Sequence, residues 1–433
     1  MRAMATHLRT LGIVGLLFGG LGAGASWGVA PPYPPSTVGL TWHETLNLGT
    51  DNDNWPTTWA DDDDVYAAGG DGAGFGGERG NWICRLRGNP PSLTGANVTR
   101  ISTESGPQGT KGSGILSLAG KLYCWARNAD GDGNYATLGW STDHGSSWTW
   151  GPTFTLLGYP TFVNFGRNYS GARDSYVYTV SHDDSSAYAT SDRFILLRVP
   201  ATSITNMSAY QYFVRRDAAG NPVWSSDPAQ RGAVFTYVEG GQGQCERSGI
   251  SYHASLGRYL WYQRYPLLGG FGVYDAPQPW GPWTTVYFTT GWDEDPGDCG
   301  GFCTKYSSGS TVWLVFSGND NLRLRRATVA ASPVAALLPP AVAFPPLATY
   351  PNPFTSGLRT DFRLSARGAV RIDVRDVLGR QVVTLLDQAL EGGDHSAEWD
   401  GRDERGARVA AGVYFVRLDV DGRVESRRVV RLR

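Results

Sequence analysis

Ser141-Thr142-Asp143-His144-Gly145-Ser146-Ser147-Trp148 is the stretch on which the fold reading turns. Strand-like runs flank it, Thr137–Trp140 and Trp148–Trp150. An Asp followed closely by a Gly between two such runs specifies a tight hairpin. The Asp side chain hydrogen-bonds its own turn, and Gly takes positive φ without steric cost. The same texture extends outward from Val38 to about Val329. Leu122–Arg127 (LYCWAR), Ser175–Ser181 (SYVYTVS), Phe194–Val199 (FILLRV), Tyr259–Tyr265 (YLWYQRY) and Thr311–Gly318 (TVWLVFSG) are strand-length runs. Clusters of Gly, Asn, Asp and Pro bound them, and no amphipathic helical stretch interrupts them. Roughly 290 residues of short strands is large for one sandwich and suits a propeller of four-stranded blades.

Composition agrees. Of 433 residues, 57 are Gly and 25 Pro, yet 41% are hydrophobic and 12% aromatic, which excludes general disorder. Sixteen Trp against three Met, with only 18% charged residues, favours aromatic strands over helices. Thirty-eight basic residues balance 40 acidic ones, a net charge of −2, so no nucleic-acid partner is expected. Arg2 and Arg9 precede an apolar run, Leu11–Gly24, that is too short to span a bilayer and ends near Ala23-Gly24-Ala25. Residues 1–25 therefore read as a signal peptide, and the chain as secreted or held at the cell surface. Residues 26–37 form a Pro-rich spacer, 38–329 the propeller, and 330–349 a Pro/Ala linker whose prolines forbid a continuous helix. Residues 350–433 are a separate, arginine-rich domain with neither Lys nor Cys.

Five cysteines fit an oxidising compartment. Cys299 with Cys303, and Cys84 with Cys124, are pairings the spacing allows, with Cys245 left over; the connectivity stays open. The chain lacks HExxH and a paired CxxC, which argues against a zinc site, and lacks the GxSxG elbow of a serine hydrolase. Asp61–Asp64 and the acidic run 293–298 read as a structural calcium site or as solvated turns; no other cofactor is expected.

The Ser141–Trp148 motif resembles the Asp-box of sialidase-type propellers, a mark of fold and not of catalysis. Longer strings carry a second resemblance. They are Asp53-Asn54-Trp55-Pro56 with Thr58-Trp59-Ala60-Asp61, Asn164–Arg167 leading into Gly171–Tyr178, Arg247–Tyr252 running into Arg258–Trp261, Gly272–Pro277 with Pro279–Trp283, and Trp313–Gly318. Together they are similar to the secreted, glycoside-hydrolase-like five-bladed β-propellers, a family that includes bacterial endo-D-arabinanases. The resemblance covers nearly all of residues 40–329. It implies an all-β fold and a polysaccharide or glycan partner.

Glycosidic cleavage needs two carboxyl groups beside the bond, and a propeller gathers such groups from distant blades at its axis. Asp53, Asp174 and Glu246 are the catalytic candidates. Trp55 and Trp59 are aromatic platforms for sugar rings. Arg173-Asp174 looks like the Arg-Asp pair of related five-bladed fructosidases. Lys111, Lys305, His182 and Asp275 complete the expected substrate-binding set. The rival reading is a non-catalytic carbohydrate-binding or adhesive propeller.

In the C-terminal region Val370, Ile372 and Val374 alternate with Arg371, Asp373 and Arg375, a half-buried strand. Tyr414, Val416, Leu418 and Val420 alternate likewise, and Asp421-Gly422 signals a hairpin. A small Ig-like antiparallel β-sandwich follows. Tyr350–Phe354, Asp376–Arg380, Trp399–Asp403 and Ala411–Phe415 resemble the C-terminal sorting domain of type IX secretion cargo, which is similar to the Ig-like domain of flagellar hook-capping proteins. That resemblance implies outer-membrane secretion machinery as a partner. Limited proteolysis should cut first between Ala330 and Tyr350 and leave two stable fragments. Earlier cutting inside 100–300 would contradict this division.

Overall fold

The computed structural model describes residues 31–189, 191–237, 248–265, 270–292, 297–331, 347–364, 367–377, 379–420 and 423–432. The segment expected to be a signal peptide, most of the expected Pro/Ala linker, Cys245 and Glu246 lie outside the described residues. The chain divides into two compact units, Met1–Ala335 and Ala336–Arg433. Among the described residues there is no α-helix, only short 3-10 turns, and so no helix able to cross a membrane.

The first unit is a five-bladed β-propeller. Strand β1 is Val38–Asn47. Blade I is β2 (Thr57–Trp59), β3 (Val65–Gly72), β4 (Gly80–Asn89) and β5 (Ser92–Ser102). Blade II is β6 (Lys111–Leu118), β7 (Lys121–Arg127), β8 (Ala136–Ser141) and β9 (Thr149–Phe154). Blade III holds β10 (Thr161–Asn164), β11 (Tyr176–His182), β12 (Arg193–Pro200), β13 (Gln211–Arg216), β14 (Pro222–Ser225) and β15 (Ala233–Thr236). Blade IV is β16 (Ser248–His253), β17 (Arg258–Tyr265), β18 (Gly270–Ala276) and β19 (Thr284–Thr289). Blade V is β20 (Gly297–Phe302), β21 (Thr311–Gly318) and β22 (Asn321–Ala331), and β1 supplies its outer strand. That last pairing runs antiparallel from Val38↔Ala331 to Asn47↔Arg323, so the start of the propeller closes the ring onto its end.

The inner strands are β2, β6, β10, β16 and β20. Two of them pair directly and in parallel, Val163↔Ile250 and Asn164↔Ser251. Only about 20 Å³ of cavity remains between them, lined by Thr57, Thr161, Asn164, Gly249, Gly300 and Phe302 among others. Glycine permits this crowding. A Cβ at Gly249 would collide with the Gly300 carbonyl oxygen, and one at Gly112 with the Ala68 side chain.

The runs most visible in the sequence belong to β7, β11, β12, β17 and β21. Neighbouring blades cover both faces of these strands, so they are apolar nearly throughout. The turn at Ser141–Trp148 forms as expected. Asp143 accepts from the Ser147 N–H (2.9 Å) and hydroxyl (2.6 Å), and the Ser141 Oγ accepts from the Gly145 N–H (2.8 Å). These bonds hold the Asp143 carboxyl down at about 2. Trp148 then packs against a buried cluster that Tyr66, Ala68 and Ile83 of blade I share with Ile115, Leu122 and Cys124 of blade II.

Two expectations are corrected. The segment read as a spacer is partly built in: Ser36 N–H donates to Thr285 O (2.8 Å) and Thr285 N–H to Pro34 O (2.8 Å). Cys84, Cys124 and Cys303 are free buried thiols, so the Cys84–Cys124 bridge does not form. Each faces the apolar filling between blades.

The second unit packs the sheet β23 (Ala348–Tyr350), β24 (Leu358–Leu364), β27 (Gly393–Trp399) against β26 (Gln381–Leu390), β25 (Gly368–Asp376), β28 (Gly412–Val420), β29 (Arg423–Arg431). Phe354, Phe362, Ile372, Trp399, Val416 and Val429 fill its core. Buried Asp373 faces Arg375 (2.7 Å), Arg371 (3.7 Å) and Arg417 (3.9 Å).

Gly249→Ala should destabilise the propeller by roughly 1–3 kcal/mol or more, because the added methyl meets fixed backbone. Gly291→Ala, where a Cβ meets nothing, should stay within about 0.5 kcal/mol of the parent. Denaturant unfolding reads both; equal effects would contradict the crowded axis.

Candidate functional site

Each blade begins with its inner strand, and antiparallel pairing then alternates direction. The starts of inner strands and the ends of second strands therefore meet at one end of the axis. Asp53 precedes β2, Asp71 ends β3, Lys111 begins β6, Arg127 ends β7, and Asp320 occupies the β21–β22 turn. All four of the other groups act electrostatically on Asp53. The backbone fixes the segment around it: Asp53 N–H donates to Gly70 O (2.8 Å) and Asn52 N–H to Asp320 O (2.7 Å).

Asp71 adopts φ +56°, unusual for a side chain other than glycine. Its N–H donates to Asn81 Oδ1 (2.8 Å), and Arg79 donates to its carbonyl (2.6 Å). Lys111, 2% exposed, forms an ion pair with Asp71 Oδ2. Arg127 is buried over the rings of Tyr159 (4.5 Å) and Tyr188 (5.6 Å). Asn128 Nδ2 donates to Gly109 O (2.8 Å) and Tyr188 Oη (3.1 Å). Several buried polar atoms here have no partner: Asp71 Oδ1, Asn54 Oδ1, Asn128 Oδ1 and Asn52 Nδ2. Folded proteins rarely leave such atoms unsatisfied, and a group of them asks for water or ligand.

Burial pushes the Asp53 carboxyl up to about 7, and the neighbouring Asp71 charge raises it further, against the opposing pull of Lys111 and Arg127. At neutral pH Asp53 thus exists in both forms, as a group that exchanges protons in catalysis must.

The axis separates the expected site residues. Asp53 and Lys111 lie at this end. Asp174 precedes β11, beside the end of β10, and so lies at the other. Its oxygens accept from the Tyr176 N–H (2.9 Å) and the Tyr178 hydroxyl (2.6 Å). Arg173 donates to Pro277 O (2.6 Å) and stacks over Tyr252 (5.5 Å). Trp59 and Lys305 also sit at that far end, where both bond Asp63. Trp55 is fully buried against Phe75, so it is no open platform for a sugar. His182 is buried and bonds Ser186 O (2.7 Å). Asp275 is buried and bonded to Arg258 (2.7 Å) and the Thr284 hydroxyl. Asp61–Asp64 form an ion-paired turn: Asp62 binds Arg85 (2.8 Å), Asp64 binds Arg85 and Arg87, and Asp61 binds His144 (3.0 Å).

Sequence reasoning missed Asp71, Arg127, Asn54, Asn128 and Asp320. The available signal was position: a polar residue closing the second strand of a blade stands next to the axis.

No curated protein matches the chain in sequence. Residues 354–422 match the FlgD Ig-like domain family. Solved structures resemble the propeller at low identity. A GH43_1 enzyme from Xanthomonas citri is 14% identical, with TM-score 0.41 over 66% of this chain and 89% of that one. The RS223 β-xylosidase is 13% identical, with TM-score 0.43 over 67% and 96%. The catalytic domain of the Coprinopsis cinerea GH62 α-L-arabinofuranosidase is 11% identical, with TM-score 0.39 over 69% and 100%. What the site can do follows from its own side chains.

A carboxyl whose folded pKa is raised, from 3.8 to about 7, holds its proton more tightly in the native state. Stability is therefore lost as pH rises through that window, and the loss is complete above it. Asp53→Asn removes the burden. The variant should melt higher than the parent at about pH 8, and the gap should close at about pH 4. A gap independent of pH, read by thermal unfolding, would contradict the burial of an ionisable Asp53.

Proposed function

We propose that the propeller is an exported glycoside hydrolase acting on a polysaccharide, with Asp53 as the carboxyl group that moves the proton. The observation that carries this reading is Asp53 itself: a carboxyl at the axial mouth, raised to about 7, beside Lys111, Asp71 and unpartnered amide groups. Inverting hydrolysis needs one group to take a proton from water and another to give one to the leaving oxygen; in the retaining route the first group attacks the sugar instead. Ionised Asp53 suits the first task. Glu246, outside the described residues, is the proposed second group; it stands two positions before β16, whose start lies at the Asp53 end. The unpartnered oxygens of Asn54, Asp71 and Asn128 suit sugar hydroxyls, which donate. Asp174 has no part in this chemistry.

Export rests on the N-terminal apolar run after Arg2 and Arg9. Surface delivery through type IX secretion rests on the motifs of the C-terminal domain and its basic end, Arg427-Arg428-Val429-Val430-Arg431. The endo-D-arabinanase likeness rests on the propeller's motif strings.

A reducing-end screen over plant, algal and mycobacterial polysaccharides tests the activity. Asp53→Asn should lower turnover by roughly 10²–10⁴-fold or more, whereas Asp174→Asn should stay near the parent. Glycan binding by the parent without release of reducing ends would establish the non-catalytic reading instead. Full activity in Asp53→Asn would remove Asp53 from the mechanism.

A further inference from the structure

Blade III has more strands than its neighbours. Its extra strand β15 pairs with β12 at Phe194↔Phe235, and the chain passes from β13 through β14 to reach it. Between this extension and the segment leading into β19 lies a cavity of about 280 Å³. Tyr33, Phe213, Arg215, Arg216, Trp280 and Trp283 are among its walls. None of the axial residues lines it.

The walls are set firmly. Tyr33 comes from the N-terminal arm, and its hydroxyl accepts from the Thr236 N–H (2.9 Å) while its carbonyl accepts from the Thr285 hydroxyl (2.7 Å). Its ring meets Phe235 (5.0 Å) and Tyr274 (5.7 Å) edge-on. Burial pushes the Tyr33 phenol up to about 12, against the opposing pull of its hydrogen bonds with Thr236 and of the Arg216 charge. Trp283 is buried against Trp261 (5.1 Å, 86°). Trp280 is half-buried, with its ring edge-on to Trp224 (6.2 Å, 86°).

Charge singles out this wall. Arg215 and Arg216 are both exposed, and among the described residues neither finds an ion-pair partner within 4 Å or a side-chain hydrogen bond. Asp217, the acidic neighbour that feels Arg215, is already held by the amides of Ala219 and Asn221. Among the described residues no carboxylate lines the cavity. The neighbouring Arg231 and Arg258, by contrast, are paired with Asp183 (2.7 Å) and Asp275 (2.7 Å). Two arginines with no acidic partner among the described residues, in the lining of an aromatic cavity, favour an anionic ring. The size, at the small end for ligand pockets, suits one sugar unit and not a long chain segment.

We propose that this cavity is a second glycan subsite, which takes one acidic sugar unit with its ring against Trp280 and Tyr33 and its anionic group on Arg215 and Arg216. The choice of a sugar over another anion rests on the carbohydrate reading of the propeller; the demand for an anion does not. A uronate carboxylate and a sulfate ester share the required chemistry.

Calorimetry on the full chain carrying Asp53→Asn separates this proposal from the hydrolase reading, because it needs no turnover. The probes are uronate oligosaccharides, sulfated oligosaccharides, neutral oligosaccharides of equal length and an oligo-glutamate peptide. The uronate or the sulfated probe should bind, more weakly as salt rises; whichever binds identifies the anion. Neutral probes and the peptide should bind at least about tenfold less tightly, a difference of about 1.4 kcal/mol. Arg216→Gln and Trp280→Ala should each weaken the acidic probe by a similar factor, with Arg216→Gln, at an exposed position, as the variant least able to disturb folding. Equal binding of neutral probes or of the peptide, absence of binding by both acidic probes, or Arg216→Gln binding like its parent would overturn the subsite.

Discussion

Everything in the propeller depends on how closely five inner strands can approach one axis. Side chains on both faces of those strands would hold them apart. Glycine at positions such as 114 and 249 removes the obstacle, so backbone of one inner strand meets backbone of the next, and two inner strands pair in parallel. The apolar second strands can then lie in layers between blades, where Trp55, Trp125 and Trp261 are wholly buried. Strand β1 completes the ring by pairing with β22. Without that closure blade V would lack its outer strand, and the start of the propeller would not be tied to its end.

A tightly filled axis also decides where chemistry can happen. The cavity between the inner strands, about 20 Å³, is too small for a sugar ring, which leaves the two ends of the axis for a ligand. The two ends are built differently. At the far end the acidic groups are matched: Asp62 and Asp64 by Arg85, Asp63 by Lys305 and Trp59, Asp174 by two tyrosines. At the near end Asp53 is half-buried among charges of both signs, and several amide and carboxyl atoms lack partners. A matched set stabilises the fold; an unmatched buried set costs stability and is kept where it meets a ligand.

The C-terminal unit follows simpler rules. Alternation along β25 and β28 puts Val370, Ile372, Val374, Val416 and Leu418 into one core. Asp373 keeps that alternation on the opposite face, where Arg371, Arg375 and the cross-strand Arg417 surround it and supply the compensating charge. A buried carboxylate is tolerated where such partners surround it.

The all-β class, the blade-sized strands and the turn at Ser141–Trp148 were determined by the sequence alone, because they are local: period, turn chemistry and aromatic content act over a few residues. The same holds for the alternating strands of the C-terminal sandwich. Asp53 was also legible, standing in a polar run just ahead of an inner strand. The site as a whole was not. Asp53 and Asp174 look alike on paper, each just ahead of a strand beside aromatic residues, and only the alternating direction of the strands puts them at opposite ends of the axis. Trp55 and Asp275 read as ligand contacts until packing buries them. Asp71 and Arg127 read as ordinary strand ends until the ring brings blades I, II and V around Asp53. Burial, charge neighbourhood and the end of the axis a residue occupies all depend on closing a circle of some 300 residues, on the order of a whole large domain. No local pattern encodes that closure.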